Sequence, residues 1–387
     1  MKLTFEPLGK YVRLVDERNT DLETEDVLGI NIDKYFMPSV ANVIGTDLGN
    51  YKLLRKGRFA CNPMHVGRDG RLPVARYTEE VPAIVSPAYF MFEIIDENEI
   101  EPEYLMLCFR RPDFDRMCWF RTDASVRGGI TWEDVSALTI PVPPLPEQRK
   151  IVRDYQVITD RISLLRKVND NLEAQARAIY KSWFEDYDPF SGERPSTWFE
   201  TTIGELAEDV ICGKTPPTEI EEYYGGEVPF ITIPDMHGSV YTVKTERTLS
   251  DKGVATQANK ILPENSICVS CIATVGLVCL TAEPSQTNQQ INSIICKPDI
   301  SPFYVYLKMT TMTDYLKALG AGGSATLNIN KTLFNAIKIL YPDKQTISEF
   351  HKTVAPIFSS IRQNQLELEL LMSLANLVMV SMHRSKQ

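Results

Sequence analysis

Few residue groupings in this 387-residue chain have spacings that invite chemistry, and each lacks something the chemistry needs. The run CGKTPP (212–217) suggests a phosphate loop. The Walker pattern requires a glycine five residues before Gly213, where Glu208 stands, and Pro216-Pro217 forbid the helix that would aim its N-terminus at phosphate. CNPMH (61–65) is not the Asn-Pro-Pro-aromatic loop that holds a flipped adenine, and no glycine-rich cofactor loop precedes it. Cys268 and Cys271 form a CxxC inside ICVSCIATVGLVCL, which alternates like a strand, and a strand sends i and i+3 to opposite faces. No second CxxC completes a zinc site, so buried apolar cysteine is the expectation. The histidines His65, His237, His351 and His383 show no triad or metal spacing, and YPDKQ (341–345) lacks the second acid pair of a metal-dependent nuclease. The chain is therefore expected to have no catalytic residues, metal or cofactor of its own.

Binding chemistry remains. Net charge is −10, yet residues 51–76 carry seven Lys/Arg (Lys52, Arg55, Lys56, Arg58, Arg68, Arg71, Arg76) against one acid, Asp69. A basic face on an acidic body can hold phosphates while the body repels wrong partners. Residues 110–127 add Arg110, Arg111, Arg116, Arg121 and Arg127 against three acids, and this second cluster is read as solvated surface.

Two long helices must position these groups. Ile151, Tyr155, Ile158, Ile162, Leu165, Asn169, Leu172, Ala176, Ile179 and Trp183 keep an unbroken heptad spacing. So do Ile347, Phe350, Val354, Ile357, Ile361, Asn364, Leu368, Leu371, Ala375, Val378 and Met382. Over four or five heptads this is a coiled-coil signal. Each seam holds a single Asn near its midpoint, one at an a-type and one at a d-type position. Antiparallel pairing would bring Asn169 and Asn364 together, fixing register. Pro356 lies in the second seam and is expected to kink or break its helix near residues 352–355.

The segments before the helices correspond at an offset near 200. YKLLRKGRFACNP (51–63) aligns with NKILPENSICVSC (259–271), PEYLMLCF (102–109) with PFYVYLKM (302–309), and SVRGGITWEDVSALTIPVP (125–143) with SATLNINKTLFNAIKILYP (324–342). The chain is one plan written twice. The expected fold is α/β (α+β): two similar globules, 1–146 and 191–344, separated by antiparallel coiled-coil helices, 147–190 and 345–387. Ordinary hydrophobic content, 43%, the lack of an 18-residue apolar run, an N-terminus without a signal-like apolar core and eight scattered cysteines suggest a cytoplasmic protein without membrane or export. Two globules on a rod suit a linear polymer with a regular repeat. A helix of about 35 residues is about 50 Å long, and half-sites on one DNA face recur at about 34–36 Å. Because the copies differ, each should read a different word, giving a bipartite, asymmetric target.

The pattern resembles the specificity (S) subunit of type I restriction-modification systems along essentially the whole chain. The carrying motifs are IPVPPLPEQRKIV opening the first helix, then PSTWFETTIGELAEDVICGKTPPT, YYGGEVPFITIPDM, LPENSICVSCIATVG and QTNQQIN in the second recognition domain. IVSPAYFMF (84–92) takes the place of TNQQINSII in the first. The second junction departs from the pattern, reading ILYPDKQTI where PLPEQ is expected. The resemblance implies a non-catalytic chain that binds double-stranded DNA through two target-recognition domains and recruits two methylation (M) subunits onto its helical spacers. Those partners use S-adenosylmethionine to methylate adenine; restriction (R) subunits, where present, use ATP with Mg. In the first half Lys52, Arg55, Lys56, Arg58, Arg68, Arg71 and Arg76 are expected mainly at phosphates, Asn62 and His65 at bases. In the second half the candidates are Ser270, Thr274, Asn288, Gln289 and Ser324, with Lys260 toward phosphate. For Asn288 and Gln289 a structural hydrogen-bond clamp is an equal reading. Arg149, Arg153, Arg161, Arg166 and Arg177, on the outer helix faces, are read as partner surface. The rival readings are a protein-binding coiled-coil scaffold without DNA specificity, which the acidic total favours, and an autonomous methyltransferase.

Overall fold

The computed structural model describes residues 4–40, 45–64, 66–122, 128–321 and 327–382. His65, Arg127, Ser324 and His383 lie outside them. Contacts divide the chain into two compact units, Met1–Asp160 with Met372–Gln387, and Arg161–Leu371.

In the first unit a four-stranded antiparallel sheet runs Val12–Leu14, Phe90–Ile94, Phe59–Cys61, Val74–Arg76. A second sheet runs Phe36–Pro38, Val27–Ile30, Ala83–Val85, Lys52–Leu54, its middle pair parallel. The second unit repeats this order. Ala207–Cys212, Ile291–Cys296, Ile267–Ser270 and Val278–Thr281 form the larger sheet, extended by Tyr241–Thr242. Arg247–Leu249, Tyr224–Ile231 and Gln286–Thr287 form the other, its last pair parallel.

The copies agree bond for bond at their bases. Phe5–Pro7 pairs with Thr139–Pro141, as Phe199–Thr202 pairs with Lys338–Tyr341. The Leu8 amide donates to the Leu138 carbonyl at 2.8 Å, and the Ile203 amide to Ile337 at 3.0 Å. Tyr104 donates its hydroxyl to the Pro141 carbonyl, and Tyr304 to Leu340. Gly9 and Gly204 serve one steric purpose: a Cβ would stand 3.1 Å from the Ser136 Cβ and 3.2 Å from the Asn335 Cβ.

Helices follow in the same order. Pro102–Arg110 and Pro302–Thr311 both open on proline, whose missing N–H costs nothing in a first turn. The short helices Pro112–Trp119 and Thr313–Gly320 come next, then single turns capped by Thr131 and Asn330 side chains. Each copy ends in a long helix, Leu145–Phe184 (central) or Lys344–Ser381 (C-terminal).

Within the second unit the long helices run antiparallel. Phe350 meets Phe184 edge-on with centroids 4.8 Å apart, Asn364 Nδ2 donates to Asn169 Oδ1 at 2.8 Å, and Arg161 pairs with Glu367 at 2.7 Å. Within the first, Met382 shares a core with Ile151, Val152 and Tyr155. Of the expected kink or break, the break does not occur: the C-terminal helix runs through Pro356. Its ring is exposed, so the Lys352 carbonyl that loses a donor lies on the wet side, while Val354, Phe358 and Ile361 pack on the dry side. The seam also shifts there. Phe358, stacked on Phe303 at 4.4 Å, is fully buried, whereas Ile357 is only half-buried.

Candidate nucleic-acid interface

In the first unit the loop 62–73 joins strands Phe59–Cys61 and Val74–Arg76. It is tied down where Gly67 crosses Gly128, the Gly67 amide donating to the Gly128 carbonyl at 2.8 Å. Gly128 has φ of 57° and a Cβ on Gly67 would come within 2.9 Å of its Cα, so this crossing requires glycine. The Ile130 amide donates to the Pro63 carbonyl, and Trp119 Nε1 to the Gly67 carbonyl at 3.0 Å. In the second unit the loop 271–277 joins Ile267–Ser270 and Val278–Thr281. There the Ile329 amide donates to Cys271, the Ala273 amide to Leu327, and Thr313 Oγ1 to Gly276. Both units thus gather the same three pieces: the loop after one strand, the short helix, and the segment entering the capped turn.

All seven cations of 51–76 have carboxylate partners. Lys52, on strand Lys52–Leu54, is buried, donates to the Tyr89 carbonyl at 2.7 Å and lies 3.5 Å from Asp16. Arg55 bridges Glu17 and Glu23, Lys56 meets Glu80, and Arg58 reaches Glu17 at 2.5 Å and the Leu53 carbonyl. Arg68 pairs with Asp69, Arg71 with Asp33, and Arg76 with Glu103. Burial raises the Glu17 pKa, but bonds from Arg55 and Arg58 outweigh it and hold the group below the usual carboxylate value. Six of these partners come from outside the 51–76 window, which is why the stretch reads as bare charge in sequence. Asn62 caps its own turn, its Oδ1 accepting from the Met64 amide at 3.0 Å.

In the second unit Lys260 donates to the Cys212 carbonyl. Ser270 is buried and accepts from the Leu277 amide at 2.9 Å. Asn288 clamps its turn, accepting from the Gln290 amide and donating to the Gln290 side chain. Thr274 and Gln289 are exposed, and Gln289 Oε1 accepts from Thr215 Oγ1 at 2.6 Å. Gly213 lets its strand close on this turn: a Cβ there would sit 2.2 Å from the Thr287 and Asn288 carbonyl oxygens. Cys268 and Cys271 are buried in different cores, Cys268 beside Cys279 across the strand pair.

Sequence reasoning missed several polar groups here. Lys34, in a left-handed turn position (φ 70°), is buried and donates to Asp115 at 2.6 Å and to the Phe109 carbonyl. Burial pulls its pKa down while Asp115 opposes. Lys34 and Arg110 line two clefts of about 430 and 290 Å³. Arg110 and Arg116, read from the sequence as solvated surface, are exposed, and among the described residues no carboxylate lies within 4.0 Å of either. Thr215 bonds Gln289, and Lys214 before it is exposed with its amide on the Thr287 carbonyl; the CGKT run is visible in the sequence, where it is weighed only as a phosphate loop. Among the described residues no group of three His, Cys, Asp or Glu is placed to hold a metal, and no helix is long and apolar enough to cross a membrane.

A duplicated frame whose loops differ while its base is shared defines a two-headed recognition protein. The family described as type I restriction modification DNA specificity domain matches residues 74–174 and 195–371, and the chain belongs to this family, the specificity subunits that recognise DNA sequence. It is 32% identical to the HindI specificity subunit of Haemophilus influenzae, with 92% of each chain covered. It is 31% identical to the MjaIX specificity subunit of Methanocaldococcus jannaschii, over 45% of this chain and 40% of that one. Its fold is similar to the S subunit from M. genitalium at a TM-score of 0.65, with 15% identity, covering 100% of this chain and 97% of the other.

Proposed function

We propose that the chain reads an asymmetric, two-part DNA sequence, one word per recognition unit, and carries two methylation subunits on its long helices. The carrying observation is the duplication: one topology with matching base hydrogen bonds, presenting loops 62–73 and 271–277 that differ in length and polar content. Base identity is read by Asn62, His65, Thr274, Gln289 and Ser324. Arg55, Lys56, Arg68 and Arg71 hold phosphates by exchanging their solvent-screened carboxylate partners, since surface ion pairs are weak. Lys52, Arg58, Arg76, Lys260, Ser270 and Asn288 hold the loops beneath them. The Asn169–Asn364 bond sets the helix register and so the gap between words. The last turns of the C-terminal helix leave Leu374, Leu377 and Val380 exposed, which suits a protein partner. S-adenosylmethionine belongs to those partners, as do ATP and Mg to restriction subunits where these join.

Duplex affinity of the chain with its methylation partners tests the reading. Binding should weaken steeply with salt while keeping preference for one sequence. A complex that binds no duplex would favour the scaffold alternative.

A further inference from the structure

Phosphates recur at one spacing under every base sequence, so an element that holds them can survive duplication unchanged, while base-reading loops must diverge. Shared exposed cations beside the loops are therefore informative. Lys52 and Lys260 correspond, but both are engaged with backbone carbonyls. Arg153 and Lys352 lie on the long helices, where the proposed reading places protein partners. Among the described residues one other pair remains. The fifth residue of each short helix is a cation, Arg116 in Pro112–Trp119 and Lys317 in Thr313–Gly320. Both are exposed, and among the described residues neither has a carboxylate within 4.0 Å. Both helices are bonded to the diverged loops, through Trp119 to Gly67 and through Thr313 to Gly276. In the first helix Trp119, 47% exposed, stands one turn from Arg116, whereas Tyr315 lies two residues before Lys317 and so on another face of its helix. A flat apolar ring beside a cation, as at Arg116, suits a sugar–phosphate edge, where one group packs and the other neutralises charge.

We infer that Arg116 and Lys317 are equivalent backbone-phosphate anchors, one in each recognition unit, independent of the words the units read. The assignment rests on the DNA reading above. The test uses the full chain with its methylation partners, a cognate duplex and a scrambled one, across a salt series. Arg116→Gln and Lys317→Gln should each lower the slope of log K against log salt by about 0.9, and together by about 1.8. Affinity should fall by the same factor on both duplexes, and the methylated sequence should stay the same. Arg116→Lys should restore the slope, which separates charge from fold damage. An unchanged slope in either Gln variant, a loss that Lys does not restore, or an altered recognition sequence would overturn the assignment. If the unmodified complex binds no duplex, the DNA reading itself fails and this assignment with it.

Discussion

The two units dock their long helices at the same joint with different chemistry. The fourth residue of the central helix is Gln148, fully buried, accepting from the Glu101 amide and donating to the Glu99 and Pro143 carbonyls. The fourth residue of the C-terminal helix is Ile347, buried among apolar side chains, and the tie to the earlier domain helix Pro302–Thr311 passes to His351, which bonds the Ser301 hydroxyl at 2.9 Å. Glu101 and Ser301 are the N-caps of matching helices. A second contrast lies in the short helices, whose fourth residue is Asp115, paired with buried Lys34, in one unit and buried Leu316 in the other. A fold keeps its joints when it duplicates; the residues that make them are free to trade a satisfied polar clamp, such as Gln148 or the Lys34–Asp115 pair, for packing.

That rule can be broken deliberately. The largest effect is expected at Lys34→Met, which strands Asp115 in the interior and should lower unfolding free energy by about 3–5 kcal/mol in urea melts. Adding Asp115→Leu, the second unit's solution, should recover most of that loss, since a matched apolar pair often equals a buried ion pair. No recovery would mean the units are not interchangeable at this site. Gln148→Leu leaves three backbone groups short of a partner and should cost about 2–3 kcal/mol, read by exchange protection of the Glu99–Glu101 backbone. Asn169→Leu with Asn364→Leu should change stability little or raise it while loosening register, seen as a blurred gap between half-sites or new oligomers. Unchanged spacing and oligomeric state would remove the register role.

The smallest effect is in pH. Bonds from Arg18 lower the pKa of Asp16, and those from Arg55 and Arg58 that of Glu17, so both titrate lower folded than unfolded. Their contribution is fully present above the ordinary carboxylate values and disappears as pH falls through the folded ones. Glu17→Gln should flatten the acid limb of a Tm-against-pH curve slightly, because the groups are partly exposed.

Much of the architecture was legible because it is periodic. Heptad spacing gave both helices, and the 200-residue offset gave the duplication, down to Lys52 against Lys260 and Tyr104 against Tyr304. Asn169 and Asn364 stood out because a carboxamide in an apolar seam demands a reason. Of the kink or break expected at Pro356, the break does not occur, because sequence does not say which face of the helix the ring takes. That each cation of 51–76 has a carboxylate partner was not legible, since the acids Asp16, Glu17, Glu23, Asp33, Glu80 and Glu103 arrive from other strands and turns. Gln148 was visible inside PLPEQ, but its role depends on carbonyls 49 residues upstream and nearer. Lys34 gave no signal, as a lone lysine reads as surface.

The central claim is that each unit reads its own word. Replacing residues 1–146 with the first recognition domain of another specificity subunit, then mapping methylated adenines across the genome, tests it most directly. The account predicts that one half of the methylated sequence changes while the other half and the gap persist. A change in both halves, or in neither, would contradict it.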